Sequence, residues 1–145
     1  MQKFNAFTLR LTDYIIQTHP DRITEKDFIE TRAEEALQTF SECSRMGMRY
    51  EECKFESDKV LYRGLNFSPY KMVEEIMDTH FPEIDILSIH RPSLIMQILV
   101  HVKPVLARYV NEENDDTFQG SESYPKAQKV VKRIINQYIY NHGLQ

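Results

Sequence analysis

LYRGLNFSPYKMVEEIM, residues 61–77, carries an apolar run into Gly64 and starts a new apolar period after Ser68 and Pro69. Glycine reaches the left-handed backbone region without steric cost, so Gly64 is a natural helix stop. Ser68 can accept a hydrogen bond from the free N–H groups of a following helix. Pro69 suits the first helical position, where its missing N–H would have had no partner anyway. Tyr70, Val73, Ile76 and Met77 then recur at the spacing of one helical face. The stretch reads as helix, short linker, helix, with Leu65 and Phe67 predicted to plug into a core between the two.

The same grammar extends outward. A first helix is predicted over about residues 3–18, where Phe4, Phe7, Leu11, Tyr14 and Ile15 share a face and THPD ends it. Thr24 followed by Asp27 resembles a capping box opening a second helix. Ile29, Ala33, Ala36, Leu37, Phe40 and Cys43 form its apolar stripe, and Gly47 stops it. A third helix, about Glu51 to Arg63, is expected to bury Cys53, Val60 and Leu61. Downstream of the fourth helix, IDILSI (residues 84–89) is ambiguous. Residues 93–103 read as a buried helix bent or restarted at Pro104, because no partner strand is evident. The polar stretch NEENDDTFQGSES, residues 111–123, reads as a mobile surface loop. A last helix runs from near Pro125 to about Tyr140, with Gly143 past its end. The prediction is an all-α, multihelical bundle of about six to seven helices. It is read as a single helical domain over residues 1–145, with residues 1–80 and 81–145 as the alternative division into two small subdomains.

A chain of 145 residues, 41% hydrophobic and 28% charged, is sized for one ordinary domain with a real core. Its longest apolar tract, SLIMQILVHVKPVLARYV, is interrupted by Gln97, His101, Lys103, Pro104 and Arg108, so no membrane span is expected. The first residues lack the apolar core and small-residue cleavage site of a secretion signal. The expected compartment is the cytoplasm, with Cys43 and Cys53 as reduced thiols. The net charge of −4 is uneven: residues 1–85 sum to −6 and residues 86–145 to +2. Four of the five acids in the second part sit together in NEENDD, which leaves the rest of the C-terminal region locally basic.

The order THPD, DFIETRAEEA, then VLYRGLNFSPY resembles a bacterial family known as domain of unknown function 1896. Arg63, Gly64, Leu65, Phe67 and Ser68 carry the match, which is strongest over about residues 11–80. The resemblance implies a small all-helical protein of a bacterial cytoplasm. It also implies a link to mobile, conjugative-transposon-type regions of Bacteroides-related bacteria. It implies no activity, substrate or catalytic residue.

The residues themselves offer little buried chemistry. Cys43 and Cys53 are ten apart, and His80, His90 and His101 are spaced ten and eleven, which is no metal-ligand pattern. Those three histidines are expected to be partly buried and hydrogen-bonded. Cys53 with His80 could make a nucleophile and base only if the fold joined them. Adjacent carboxylates such as Glu34–Glu35, Glu51–Glu52 and Glu74–Glu75 diverge by about 100° on a helix. No phosphate-cradling glycine loop occurs. No catalytic residue, metal or cofactor is therefore predicted, and the protein is expected not to be an enzyme.

The best polar constellation is on the last helix. Lys126, Lys129, Arg133, Asn136 and Tyr140 recur at three-to-four spacing, and Lys132 widens the face. Two functions follow. The first is an accessory factor working through a protein partner or self-association, with Met46, Met48 and Tyr50 as anchors. The alternative is a nucleic-acid-binding accessory using Lys126, Lys129, Lys132, Arg133 and Tyr140.

Overall fold

The computed structural model describes residues 5–84 and 90–143. Among them are six α-helices and no strand: α1 Ala6–Thr18, α2 Lys26–Arg45, α3 Tyr50–Leu61, α4 Pro69–His80, α5 Arg91–Leu106 and α6 Ser123–Asn141. The fold is all-α, as predicted. The chain divides into two compact units, Met1–Leu65 and Asn66–Gln145, each built on three of the helices.

In the first unit, α1 starts later than predicted because Asn5 caps it. The Asn5 side chain accepts from the N–H of Phe7 at 2.8 Å and of Thr8 at 3.1 Å, and Thr8 Oγ1 accepts from the Asn5 N–H. Phe4 lies outside the described residues. Phe7, Leu11 and Ile15 pack against Ile29, Ala33 and Ala36 of α2 and against Leu61 and Leu65. The predicted Thr24–Asp27 box does not form. A 3-10 turn at Pro20–Arg22 moves the helix start to Lys26, with Glu25 at the cap and no side-chain cap bond. Leu37, predicted on the buried stripe, is 40% exposed, while Arg32 is only 5% exposed. The Arg32 guanidinium donates to the carbonyls of Val60, Leu61 and Arg63, the last at 2.6 Å. It thereby closes the carbonyl end of α3, where a cation also meets the negative end of the helix dipole.

Gly47 ends α2 as predicted, at φ +80°. The Met48 N–H reaches back to the Cys43 carbonyl and the Gly47 N–H to that of Ser44, which is the Schellman pattern. Gly64 at φ +78° ends the turn after α3.

Across the next few residues the chain changes core. Leu65, fully buried, belongs to the first unit, where its carbonyl accepts from the Tyr14 hydroxyl at 2.7 Å. Phe67 belongs to the second unit, packed edge-on against Phe118 with ring centroids 4.9 Å apart. The prediction that both fill one core between α3 and α4 is corrected accordingly. Ser68 and Pro69 do open α4, with Ser68 Oγ accepting from the Lys71 N–H at 3.0 Å.

The second unit buries one face of each of its helices. Tyr70, Met72, Val73, Ile76 and Met77 of α4 meet Leu94, Ile95, Ile98, Leu99, Val102 and Leu106 of α5 and the inner stripe of α6. Hence α4 sits with α5 and α6, and the dividing line falls at Leu65/Asn66 rather than after residue 80. Of the ambiguous 84–89 element, Ile84 is buried and residues 85–89 lie outside the described residues. Helix α5 continues through Pro104 instead of restarting there. Proline at 104 deprives the Val100 carbonyl of its helical partner, and Val100 is 70% exposed, where water can replace the lost bond.

Residues 111–123 are not a free loop. Asn111 and Asn114 cap one another's backbone N–H groups, and Asp115 accepts from the Asn66 N–H at 2.7 Å. Phe118 is 1% exposed and packs on Phe67 and Tyr124. Replacing Leu65 or Phe67 with Ala is expected to cost about 2–5 kcal/mol each. Leu9→Ala, at a position 54% exposed, should stay within about 0.5 kcal/mol. Urea unfolding of the three variants measures the difference.

Candidate nucleic-acid interface

Helix α6 buries Ala127, Val131, Ile135, Tyr138 and Ile139 against the second unit's core. With 3.6 residues per turn, that stripe forces the residues between it to the opposite side. Lys126, Lys129, Lys132, Arg133, Asn136 and Tyr140 are all exposed there, Tyr140 by 72%. The structure therefore brings all five predicted residues onto one helical face, together with Asn136.

No carboxylate occurs in α6. Among the described residues, none of Lys126, Lys129, Lys132 and Arg133 takes part in an ion pair. Several lysines and arginines elsewhere do have carboxylate partners: Arg10 and Lys54 with Asp58 at 2.7 and 3.2 Å, Lys71 with Glu74 at 3.4 Å, and Arg91 with Asp78. Among the described residues, the α6 cations thus carry charge that no carboxylate pairs with.

Two hollows flank this face. One, of about 410 Å3, lies between Phe81 and the side chains of Lys129, Lys132, Arg133 and Asn136. The other, of about 320 Å3, is formed by His101 of α5 with Arg133, Ile134, Gln137 and Tyr138 of α6 and with Asn141 and His142 at its end. Arg133 borders both. Lys126 and Tyr140 are on the same face but line neither.

The second hollow has an aromatic wall. Tyr138 and His142 stack at 3.9 Å between centroids, inclined by 17°, and His101 lies 5.7 Å from the Tyr138 ring. Hydrogen bonds hold these groups. The Tyr138 hydroxyl donates to Gln97 Oε1 at 2.7 Å, and His142 Nδ1 is 2.8 Å from the Tyr138 carbonyl. A carbonyl only accepts, so Nδ1 carries the proton and Nε2 is left as the acceptor of the neutral ring. The reading of the sequence missed His101, Gln137, Tyr138, Asn141 and His142 as a group. The i, i+4 spacing of Tyr138 and His142 was the only local signal; the contribution of α5 had none.

The histidines differ from expectation. His80 closes α4, His90 precedes α5 and His101 is on the outer side of α5; all three are exposed. Beside His80 and His101, Phe81 and Val102 take the inward positions. His19 is the buried one, 4% exposed, with Nδ1 at 2.8 Å from Thr18 Oγ1. Among the described residues no cluster of three or more His, Cys, Asp or Glu could hold a metal ion. No described helix is long and apolar enough to cross a membrane.

The two cysteines face each other across the α2–α3 turn. Cys53 is 1% exposed, its Sγ lies 3.7 Å from the Met48 carbonyl, and burial and then the neighbouring Cys43 push its thiol pKa up.

The family model described as "Domain of unknown function (DUF1896)" matches residues 1–144. The crystal structure of protein PG0816 from Porphyromonas gingivalis is similar to this fold, with a TM-score of 0.79 at 26% identity. The likeness covers 96% of this chain and 92% of that one. No curated protein matches the chain.

A thiol with a raised pKa holds less thiolate at a given pH and reacts more slowly. In the native protein at mildly alkaline pH, Cys43 is therefore expected to be alkylated by iodoacetamide before Cys53, and unfolding should erase the difference. Peptide mass spectrometry over a time course checks this.

Proposed function

The chain belongs to the family described as Domain of unknown function (DUF1896), and, that description assigning no activity, we propose that it is a non-enzymatic protein that binds nucleic acid through the exposed face of α6. One observation supports the reading above the others: Lys126, Lys129, Lys132 and Arg133 share a face with no carboxylate in the helix and no ion pair among the described residues. A polyphosphate backbone laid on such a face exchanges its condensed counterions for protein cations, and their release drives binding. Tyr140, exposed on the same face, offers a ring for stacking. The overall charge of −4 does not oppose this, because screening limits each charge to about 8 Å in physiological salt. The proposal places the protein in the cytoplasm, in the mobile-element setting that the family resemblance implies.

A second reading, an accessory factor that works by protein association, has its own support in the first unit. Met46, Tyr50 and Phe55 are 77%, 65% and 63% exposed near the α2–α3 turn. Large exposed apolar side chains of this kind are the usual anchors of protein interfaces.

Fluorescence anisotropy with labelled single- and double-stranded DNA tests the first reading. Binding is expected at low salt and should weaken steeply as salt rises. Lys129→Gln should lower the slope of log affinity against log salt by about 1, and the Lys129→Glu/Arg133→Glu pair should abolish binding. No binding to either form of DNA at low salt would overturn it. For the second reading, self-association in sedimentation equilibrium that disappears in Tyr50→Ser is the expected result; a strict monomer that captures no protein from its native host counts against it.

A further inference from the structure

Resting on the nucleic-acid reading of α6, we propose that the hollow between α5 and α6 takes an unpaired base, so that the ligand is a single strand rather than a duplex. The two hollows beside α6 differ in chemistry. The one beside Phe81 is edged by Lys129, Lys132, Arg133 and Asn136, cations and an amide suited to phosphate and sugar oxygens. The other holds no lysine. Its wall is the Tyr138–His142 stack with the His101 ring beside it, and Gln137 and Asn141 stand at its edge.

That combination matches a base more closely than a phosphate. A base presents two apolar ring faces and a rim of donors and acceptors. Aromatic and aliphatic surfaces receive the faces, and side-chain amides, which both donate and accept, meet the rim. The volume, about 320 Å3, exceeds that of one base and is within the range of small-ligand sites. In a duplex the base faces are stacked on one another and cannot enter. Arg133 ties the two hollows together: it borders both, so a strand crossing α6 at this residue would set a phosphate on one side and its base on the other. The guanidinium suits this position, since it can hydrogen-bond a phosphate and lie flat against a base.

Two of the groups that shape the hollow are held in place before any ligand arrives. Tyr138 is anchored through Gln97 and His142 through the Tyr138 carbonyl. Little ordering cost then remains for binding.

The test compares three labelled probes of equal length: oligothymidylate, an abasic strand with the same phosphodiester backbone, and a duplex. The wild type is expected to bind oligothymidylate about tenfold or more tightly over the abasic strand, the range of one stacked base, and to prefer it to the duplex. Replacing the exposed His101 and Gln137 with Ala should bring oligothymidylate down to the level of the abasic strand while leaving abasic binding unchanged. Circular dichroism and thermal unfolding verify that this variant is folded. Equal binding of the abasic strand and oligothymidylate by the wild type, a preference for duplex, or a preference for bases that survives in the folded variant would each overturn the inference while leaving the backbone reading intact. Failure of all three probes to bind would overturn both.

Discussion

Leu65 and Phe67 are separated by one residue, and each must leave water in a different core. Burying a side chain of this kind is worth about 1.5–3 kcal/mol, so neither can be left outside without a sizeable loss from a small unit's marginal stability. Gly64 at φ +78° turns the chain before this pair, and Ser68 with Pro69 restarts a helix after it. The polar backbone is satisfied on the way: the Leu65 carbonyl accepts from Tyr14 in the first unit, and the Asn66 N–H is taken up by Asp115 in the second. Everything upstream of Leu65 is then free to organise as one three-helix unit and everything downstream as another.

The two units solve the burial problem differently. The second has a deep apolar core, fed by α4, α5, α6 and Phe118. The first includes two alanines among its few buried positions and adds polar and ring contacts around them. Arg32 spans the carbonyl end of α3, Arg10 pairs with Asp58, and Tyr14 packs on Tyr62 at 4.7 Å between ring centroids. Buried guanidinium groups of this kind are stable only when their donors are matched, as those of Arg32 are by backbone carbonyls.

What was legible in the sequence was whatever is decided locally. Gly47 and the Ser68–Pro69 start are readable from a few neighbours, and so is the three-to-four recurrence of Lys129, Arg133, Asn136 and Tyr140. What was not legible depends on contacts distant in the chain. Thr24 and Asp27 have the right types for a cap, yet the proline turn before them moves the helix start. Residues 111–123 look like a solvated loop because their polar composition outweighs one phenylalanine. That one side chain and the Asp115 carboxylate tie the segment down, and neither leaves a periodic trace. Arg32 was invisible as a buried residue because arginine normally reads as surface. In the candidate site the cationic stripe could be read along α6, whereas the aromatic hollow requires His101 of another helix.

Because α6 contains four cations and no carboxylate, the second unit is electrically lopsided, and the sum of its charges predicts little about what it touches. At neutral pH the protein, with a pI near 5.7, would drift toward an anode, yet on the proposed reading α6 would still hold it on a phosphate-bearing resin. An uneven charge distribution of this kind lets a local field differ in sign from the net charge. The helix whose inner stripe is sealed in an apolar core thus carries on its outer side the unit's strongest concentration of positive charge.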